Sequence, residues 1–196
     1  VTRTGYTGDL GYELWVEAEH ATSLWDRLFD VGQPYGIHPA GLNALDVCRI
    51  EAGFLMMGVD YTGAFDALID SQKSTPDELG LGWMVKLDRS PFIGQSALAK
   101  ERDSGHSVAT VGLEIDWVAL EDLYGQHGLP AALPSTAWRE SIPLYRSGRQ
   151  VGRATSGAWS PILKKNLALA RVDTPHSSLG TQLDIEVTVE WVRSTV

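Results

Sequence analysis

From Gly11 the chain alternates Tyr12, Leu14 and Val16 against Glu13, Trp15 and Glu17, the period-two pattern of a strand with one buried face. Glu13 and Trp15 then share the other face. The residues before it carry Gly5 and Gly8, so 2–14 is expected to form a strand and hairpin through a glycine-spaced turn. Over 20–32 the spacing changes to that of a helix, with Leu24, Leu28 and Val31 on one side and Gly32 as its stop. A second helix is expected from near 39 to about 52, ended by Gly53.

An irregular stretch through Gly58 and Gly63 follows, and then residues 80–88 alternate like a strand. Ser90-Pro-Phe-Ile-Gly94 reads as a turn and 95–102 as a short helix. Beyond the linker-like Asp103-Ser-Gly-His106 the pattern becomes short strands with tight turns: 107–115, 142–145, 150–154, 167–172 and 182–192, with a hairpin turn at Ser147-Gly-Arg149. Such runs indicate an antiparallel barrel or sandwich. The segment 117–138, with Gly125, Gly128, Pro130 and Pro134, reads as a long loop or insertion. The expected fold class is therefore α+β, with a first unit over 1–103 and an antiparallel β-barrel-like domain over 104–196.

Composition narrows the function classes. The chain has 196 residues, and 16 Lys+Arg against 25 Asp+Glu give a net charge of -9. That balance repels a polyphosphate backbone, so no nucleic-acid partner is expected. No apolar run approaches the ~18 residues of a membrane span, and no signal-like segment is present. Cys48 is the single cysteine, which precludes an internal disulfide and reads as a buried, reduced thiol of a cytoplasmic protein. The five histidines show no i,i+4 pair, so no metal site is expected.

Glu13 beside Trp15 is the first candidate for chemistry. A carboxylate is acceptor-only, and next to an aromatic it suits a flat heterocycle that offers N–H donors. A solvated strand carboxylate is the plainer reading of Glu13 alone. Arg49 lies one helical turn after Asp46; it could reach a ligand carboxylate or pair with Asp46. Lys164 and Lys165 read as a solvated turn, with contact to an anionic tail or carrier as the alternative. Asp9, Asp46 and Asp60 are the tempting carboxylates, but a catalytic group must sit within hydrogen-bond reach of the reacting nitrogen, a geometry sequence does not give, so no catalytic residue is nominated.

Several motifs occur together in order: Arg3-Thr-Gly-Tyr-Thr-Gly8, Gly11-Tyr-Glu13, Gly41-Leu42, Arg49-Ile-Glu-Ala-Gly53, Gly80-Leu-Gly-Trp-Met-Val-Lys-Leu-Asp88, Phe92-Ile-Gly94 and Thr155-Ser-Gly-Ala-Trp-Ser-Pro-Ile-Leu-Lys-Lys-Asn166. The set resembles the aminomethyltransferase family, the T-protein of the glycine cleavage system and related tetrahydrofolate-dependent demethylases. The resemblance implies one-carbon transfer to tetrahydrofolate, with a lipoyl carrier protein as the donor's partner in the T-protein case. It places the pterin-contacting acid on Glu13 and a channel wall on Trp83, and adds Tyr6 and Arg49 to the cofactor-binding candidates. Leu45 stands where T-proteins carry a folate-contacting Arg, and Val59 stands where they carry Asn in Gly-Asn-Asp. The region bearing the family's catalytic Asp has no counterpart here. The resemblance thus implies the C-terminal portion of such an enzyme, lacking the N-terminal half of its own domain. The alternatives it leaves are a folate-dependent O-, N- or S-demethylase, or a non-catalytic folate-binding or scaffold module.

Overall fold

The computed structural model describes residues 1–189 and the backbone of 192–195. Its central element is a six-stranded antiparallel sheet of β1 (Val108–Ile115), β2 (Ile142–Arg146), β3 (Arg149–Ser160), β4 (Lys165–Asp173), β5 (Asp184–Val189) and β6 (Val192–Thr195). The order across the sheet is β1-β4-β3-β2-β5-β6. β2 and β3 turn on Ser147 and Gly148, both in the left-handed region at φ 52 and 74, as a two-residue primed turn between twisted strands requires. The expected α+β organisation holds.

The core of this sheet is built from Leu144, Ala154, Ala168, Ala170, Val172 and Ile185, with Val111, Leu113, Trp138 and Ile142 packed against it. Along β4 the burial alternates as a strand with one covered face demands, until the second face is also covered around Ala168 to Ala170. There α2 (Leu42–Glu51) lies on the sheet, with Ile50 against Ala158 and Leu169. Burying a side chain of that size stabilises by about 1.5–3 kcal/mol. Gly53, at φ 73, ends the helix as expected; its N–H reaches Ile50 O, and Phe54 N reaches Arg49 O, closing the last turn.

Two further helices, α1 (Ala21–Gly32) and α3 (Gln95–Ser104), precede the sheet in the chain. α1 contains no buried residue. Gly32 is its last residue, as expected; a 3-10 turn over Gln33–Tyr35 follows, and the chain reverses at Gly36, φ 73.

Five expectations are corrected. The segment 117–138 is not a structureless loop, because it starts with α4 (Trp117–Gln126). Asp116 caps that helix, accepting from Val118 N and Ala119 N at 2.9 and 3.1 Å, and Leu120 and Leu123 are buried along one side. Residues 80–88 do not form a strand but contain a 3-10 turn, Gly82–Met84. Arg102 occupies the carbonyls a ladder would need, donating to Gly82 O at 2.6 Å and Val85 O at 3.3 Å. The run 182–192 contains β5 and the first residue of β6, which pair antiparallel from Val189↔Val192, and its residues 190–191 lie outside the described residues. Cys48 is half-buried rather than buried.

The opening segment is a loop closed by one bridge rather than a full hairpin. Thr2 and Glu13 exchange both backbone hydrogen bonds at 2.9 Å. Gly5 and Gly11 cross so closely that a Cβ on Gly11 would stand 2.7 Å from Gly5 Cα. Tyr12, Leu14 and Val16 remain exposed, so no second layer covers their face among the described residues.

A second close approach fixes the sheet's entry. Trp138 bridges Gly157 through reciprocal backbone bonds of 2.8 and 3.0 Å, and its ring lies 2.2 Å from where a Gly157 Cβ would be. Gly157→Ala is expected to lower unfolding free energy by roughly 1–3 kcal/mol through overpacking, measured by urea denaturation with Trp fluorescence.

Candidate functional site

Asp46, Arg49 and Ile50 are the buried residues of α2, in its second half. The Arg49 side chain is 0% exposed. Its Nε donates to Asp46 Oδ1 at 2.8 Å, and Nη1 donates to Asp60 Oδ2 at 2.6 Å and to Phe54 O at 3.3 Å. Nη2 is buried without a hydrogen-bond partner among the described residues. Asp46 also accepts from Arg139 Nε at 2.8 Å, and so ties α2 to the stretch leading into β2.

Asp60 is 1% exposed and fully engaged. Besides Arg49 it accepts Met56 N at 2.8 Å on Oδ2, and Thr155 Oγ1 and Ser156 Oγ, both at 2.6 Å, on Oδ1. Neighbouring strand residues ordinarily point to opposite faces. Here the β3/β4 register shifts between Ala154 and Ser156, and the bulge lets both hydroxyls reach one carboxylate oxygen. Further along β3, Ser160 donates to Glu51 and accepts from Leu163 N at 2.9 Å. The Thr155–Asn166 motif is therefore the seat on which α2 and the 54–60 loop are fixed.

Burial alone would raise the Asp46 carboxyl, but the hydrogen bonds and charges of Arg49 and Arg139 together outweigh it and hold the group below the ordinary Asp value. Burial also pushes the Tyr6 phenol up, against the lowering effect of Arg49.

The sequence candidates divide between this buried network and the surface. Glu13 is exposed; its Oε2 accepts from Thr2 Oγ1 at 3.3 Å, and Thr2 Oγ1 in turn accepts from Trp15 Nε1 at 3.4 Å. Glu13 and Trp15 thus stand side by side, with Trp15 74% exposed. Trp83 is 72% exposed on its 3-10 turn. Tyr6 is half-buried, donating to Leu55 O at 2.6 Å and stacked on Phe54 with ring centroids 5.6 Å apart. Arg49 has the ion pair with Asp46, and its head points into the network. Lys165 is paired with Glu114 at 2.6 Å, and Lys164 adopts φ 58 in the turn. Asp46 and Asp60 are committed to the network.

Sequence reasoning missed Thr155 and Ser156 as partners of Asp60, and Arg139 as a partner of Asp46. The consecutive hydroxyls at 155–156 within a strand were the available signal. Among the described residues no group of His, Cys, Asp and Glu could hold a metal ion, and no helix is long and apolar enough to cross a membrane.

An α+β unit seated through a buried Arg–Asp network on an antiparallel barrel defines a two-part class, and both parts have family counterparts. The family model of the GCVT N-terminal domain matches residues 1–89. That of the glycine cleavage T-protein C-terminal barrel domain matches 128–196. The glycine cleavage system aminomethyltransferase T from Bartonella henselae superposes with a TM-score of 0.73 at 25% identity, over 99% of this chain and 46% of that one. An aminomethyltransferase of Caldanaerobacter subterraneus subsp. tengcongensis is 35% identical over 94% of the chain and 42% of its own length. Another from Bacillus subtilis is 33% identical over 100% and 47%. The trimethylamine-oxide aldolase of Ruegeria pomeroyi is 39% identical over 94% of the chain and 20% of its own length. The chain belongs to the aminomethyltransferase family, and it spans less than half the length of these relatives.

Removing one member of a buried ion pair strands the other. Arg49→Met is expected to lower unfolding free energy by about 3–5 kcal/mol, and Arg49→Lys to restore little of it, because an ammonium cannot serve two carboxylates as a planar fork does; chemical denaturation measures both. The pH dependence of Asp46 follows from the sign of its shift. A carboxyl lowered in the folded state contributes stability that is complete above the unfolded value of about 3.9 and is lost as pH falls through the folded one. Asp46→Asn should therefore be less stable at neutral pH and lose less on going below about pH 4, as read from denaturation midpoints across an acid series.

Proposed function

We propose that this protein works in one-carbon transfer to tetrahydrofolate, with residues 1–103 forming part of the folate-binding domain and 104–196 the barrel on which it is seated. The observation that supports this most directly is the exposed Glu13 carboxylate held beside Trp15 by Thr2, in the segment matched by the GCVT N-terminal domain family. An acceptor-only carboxylate next to an indole complements the donor edge and flat face of an aminopterin. Trp83, exposed on its turn, supplies a further aromatic wall, and Tyr6 orders the start of the 54–60 loop through Leu55 and Phe54. Arg49 acts from behind this loop as a positioning residue, because its guanidinium is enclosed between Asp46 and Asp60.

The apolar side chains left exposed in the first unit, among them Leu14, Trp25 and Val31, are covered by the additional chain that the longer relatives carry, and that chain completes the folate channel and supplies the catalytic acid. The donor is an aminomethyl-lipoyl carrier or a methylated amine. The second option is favoured by the relative named trimethylamine-oxide aldolase, and by Leu45 and Val59 at the two positions where this chain departs from the T-protein pattern. The reaction takes place in the cytoplasm, where the lone Cys48 stays reduced.

Calorimetric titration tests this reading. The product of the whole reading frame should bind tetrahydrofolate saturably, and Glu13→Gln should weaken binding by about tenfold or more, the usual effect of losing a hydrogen bond to a charged group. An unchanged dissociation constant removes Glu13 from the site. The 196-residue chain alone should bind weakly or not at all; micromolar affinity would refute the need for the additional chain. Methylenetetrahydrofolate formation from a panel of lipoyl-carrier and methylated-amine donors separates the two donor classes, and no product from any donor leaves a non-catalytic folate-binding module.

A further inference from the structure

The face of the sheet on which α2 packs through Leu169 sets two cations against each other further along the strands. Arg153 on β3 and Arg171 on β4 are directly opposite in the strand register, an arrangement in which like charges repel. Arg171 is compensated: its Nη2 meets Glu78 at 3.3 Å and its Nη1 donates to Ser74 Oγ. Its side chain is only 11% exposed. The Arg153 guanidinium has no ion pair or hydrogen bond among the described residues, and it is open to solvent.

Both arginines line a cleft of about 320 Å³, whose facing wall carries Thr62, Ser71 and Ser74. One buried, pre-oriented arginine, one uncommitted arginine and the hydroxyl residues Thr62, Ser71 and Ser74 border the same cleft. Planar guanidinium groups bind carboxylate and phosphate oxygens through paired N–H donors. Asp173 also lines the cleft, two residues beyond Arg171 on the same face. Its charge opposes a polyanion and leaves room for a ligand with one oxyanionic group.

We propose that this cleft is a binding site for a small oxyanion, a carboxylate or a phosphate, with Arg153 as the principal charged contact and Arg171 as its fixed partner. Occupation relieves the cross-strand repulsion, so binding is coupled to the stability of the β3–β4 pair. Nothing in this site draws on the pterin contacts, and its test stands apart from theirs.

The experiment titrates the protein with inorganic phosphate and, separately, with glutarate, following heat and melting temperature. At least one anion should bind saturably and raise the melting temperature, and added KCl should weaken the effect. Arg153→Gln should reduce affinity by about tenfold or more, and Asp173→Asn should increase it. A preference for phosphate or for glutarate identifies the source of the oxyanion. Absence of binding by both, an equal response of Arg153→Gln and the unaltered protein, or weaker binding in Asp173→Asn overturns the proposal. Arg153 is exposed, so its variant keeps the fold, and circular dichroism verifies this.

Discussion

The guanidinium of Arg49 is the constraint on which the rest of the structure depends. It is enclosed between Asp46 on its own helix and Asp60 on the following loop, and Asp60 is held in turn by Thr155 and Ser156 of the barrel. A buried ion pair seldom adds net stability over an apolar pair of the same volume, but it penalises every arrangement that leaves a charge unpaired. The network therefore fixes one docking of α2 on the sheet. Ile50, packed on Ala158 and Leu169, contributes the burial, and the charges select the register.

That docking carries consequences toward the surface. The 54–60 loop leaves α2 through Gly53 and is tied back by Arg49 and Asp60. Phe54 and Leu55 on this loop receive Tyr6, so the glycine-rich opening segment rests on the same foundation. Glu13 and Trp15 lie at the outer end of that segment, exposed beside Thr2. The chain of contacts runs from the barrel outward and ends at these exposed groups.

Much of the barrel was legible in the sequence. Its strands at 107–115, 142–145 and 167–172 and the Ser147-Gly148 turn are local signals, since a primed turn and period-two burial show in a few residues each. The helix at 117–126 was hidden by the glycines and prolines that follow it, although Asp116 before Trp-Val-Ala-Leu is a sound cap signal. Residues 80–88 have the alternation of a strand but no ladder partner, and Arg102, distant in sequence, takes their carbonyls. Periodicity shows which face is apolar and says nothing about what lies opposite it.

For the site, the sequence by itself determined the residue types and their order: a carboxylate and an indole two apart at 13 and 15, an Asp–Arg pair three apart at 46 and 49, and consecutive hydroxyls at 155 and 156. It left Arg49 open between a ligand and Asp46. Only the tertiary structure decided that question, because Asp60 meets the guanidinium from 11 residues away and is itself fixed by the β3 hydroxyls of Thr155 and Ser156, 95 and 96 residues further on. Short-range spacing fixes helix and strand faces through backbone geometry, whereas the partner of a buried charge is set by chain segments that meet only when the core closes.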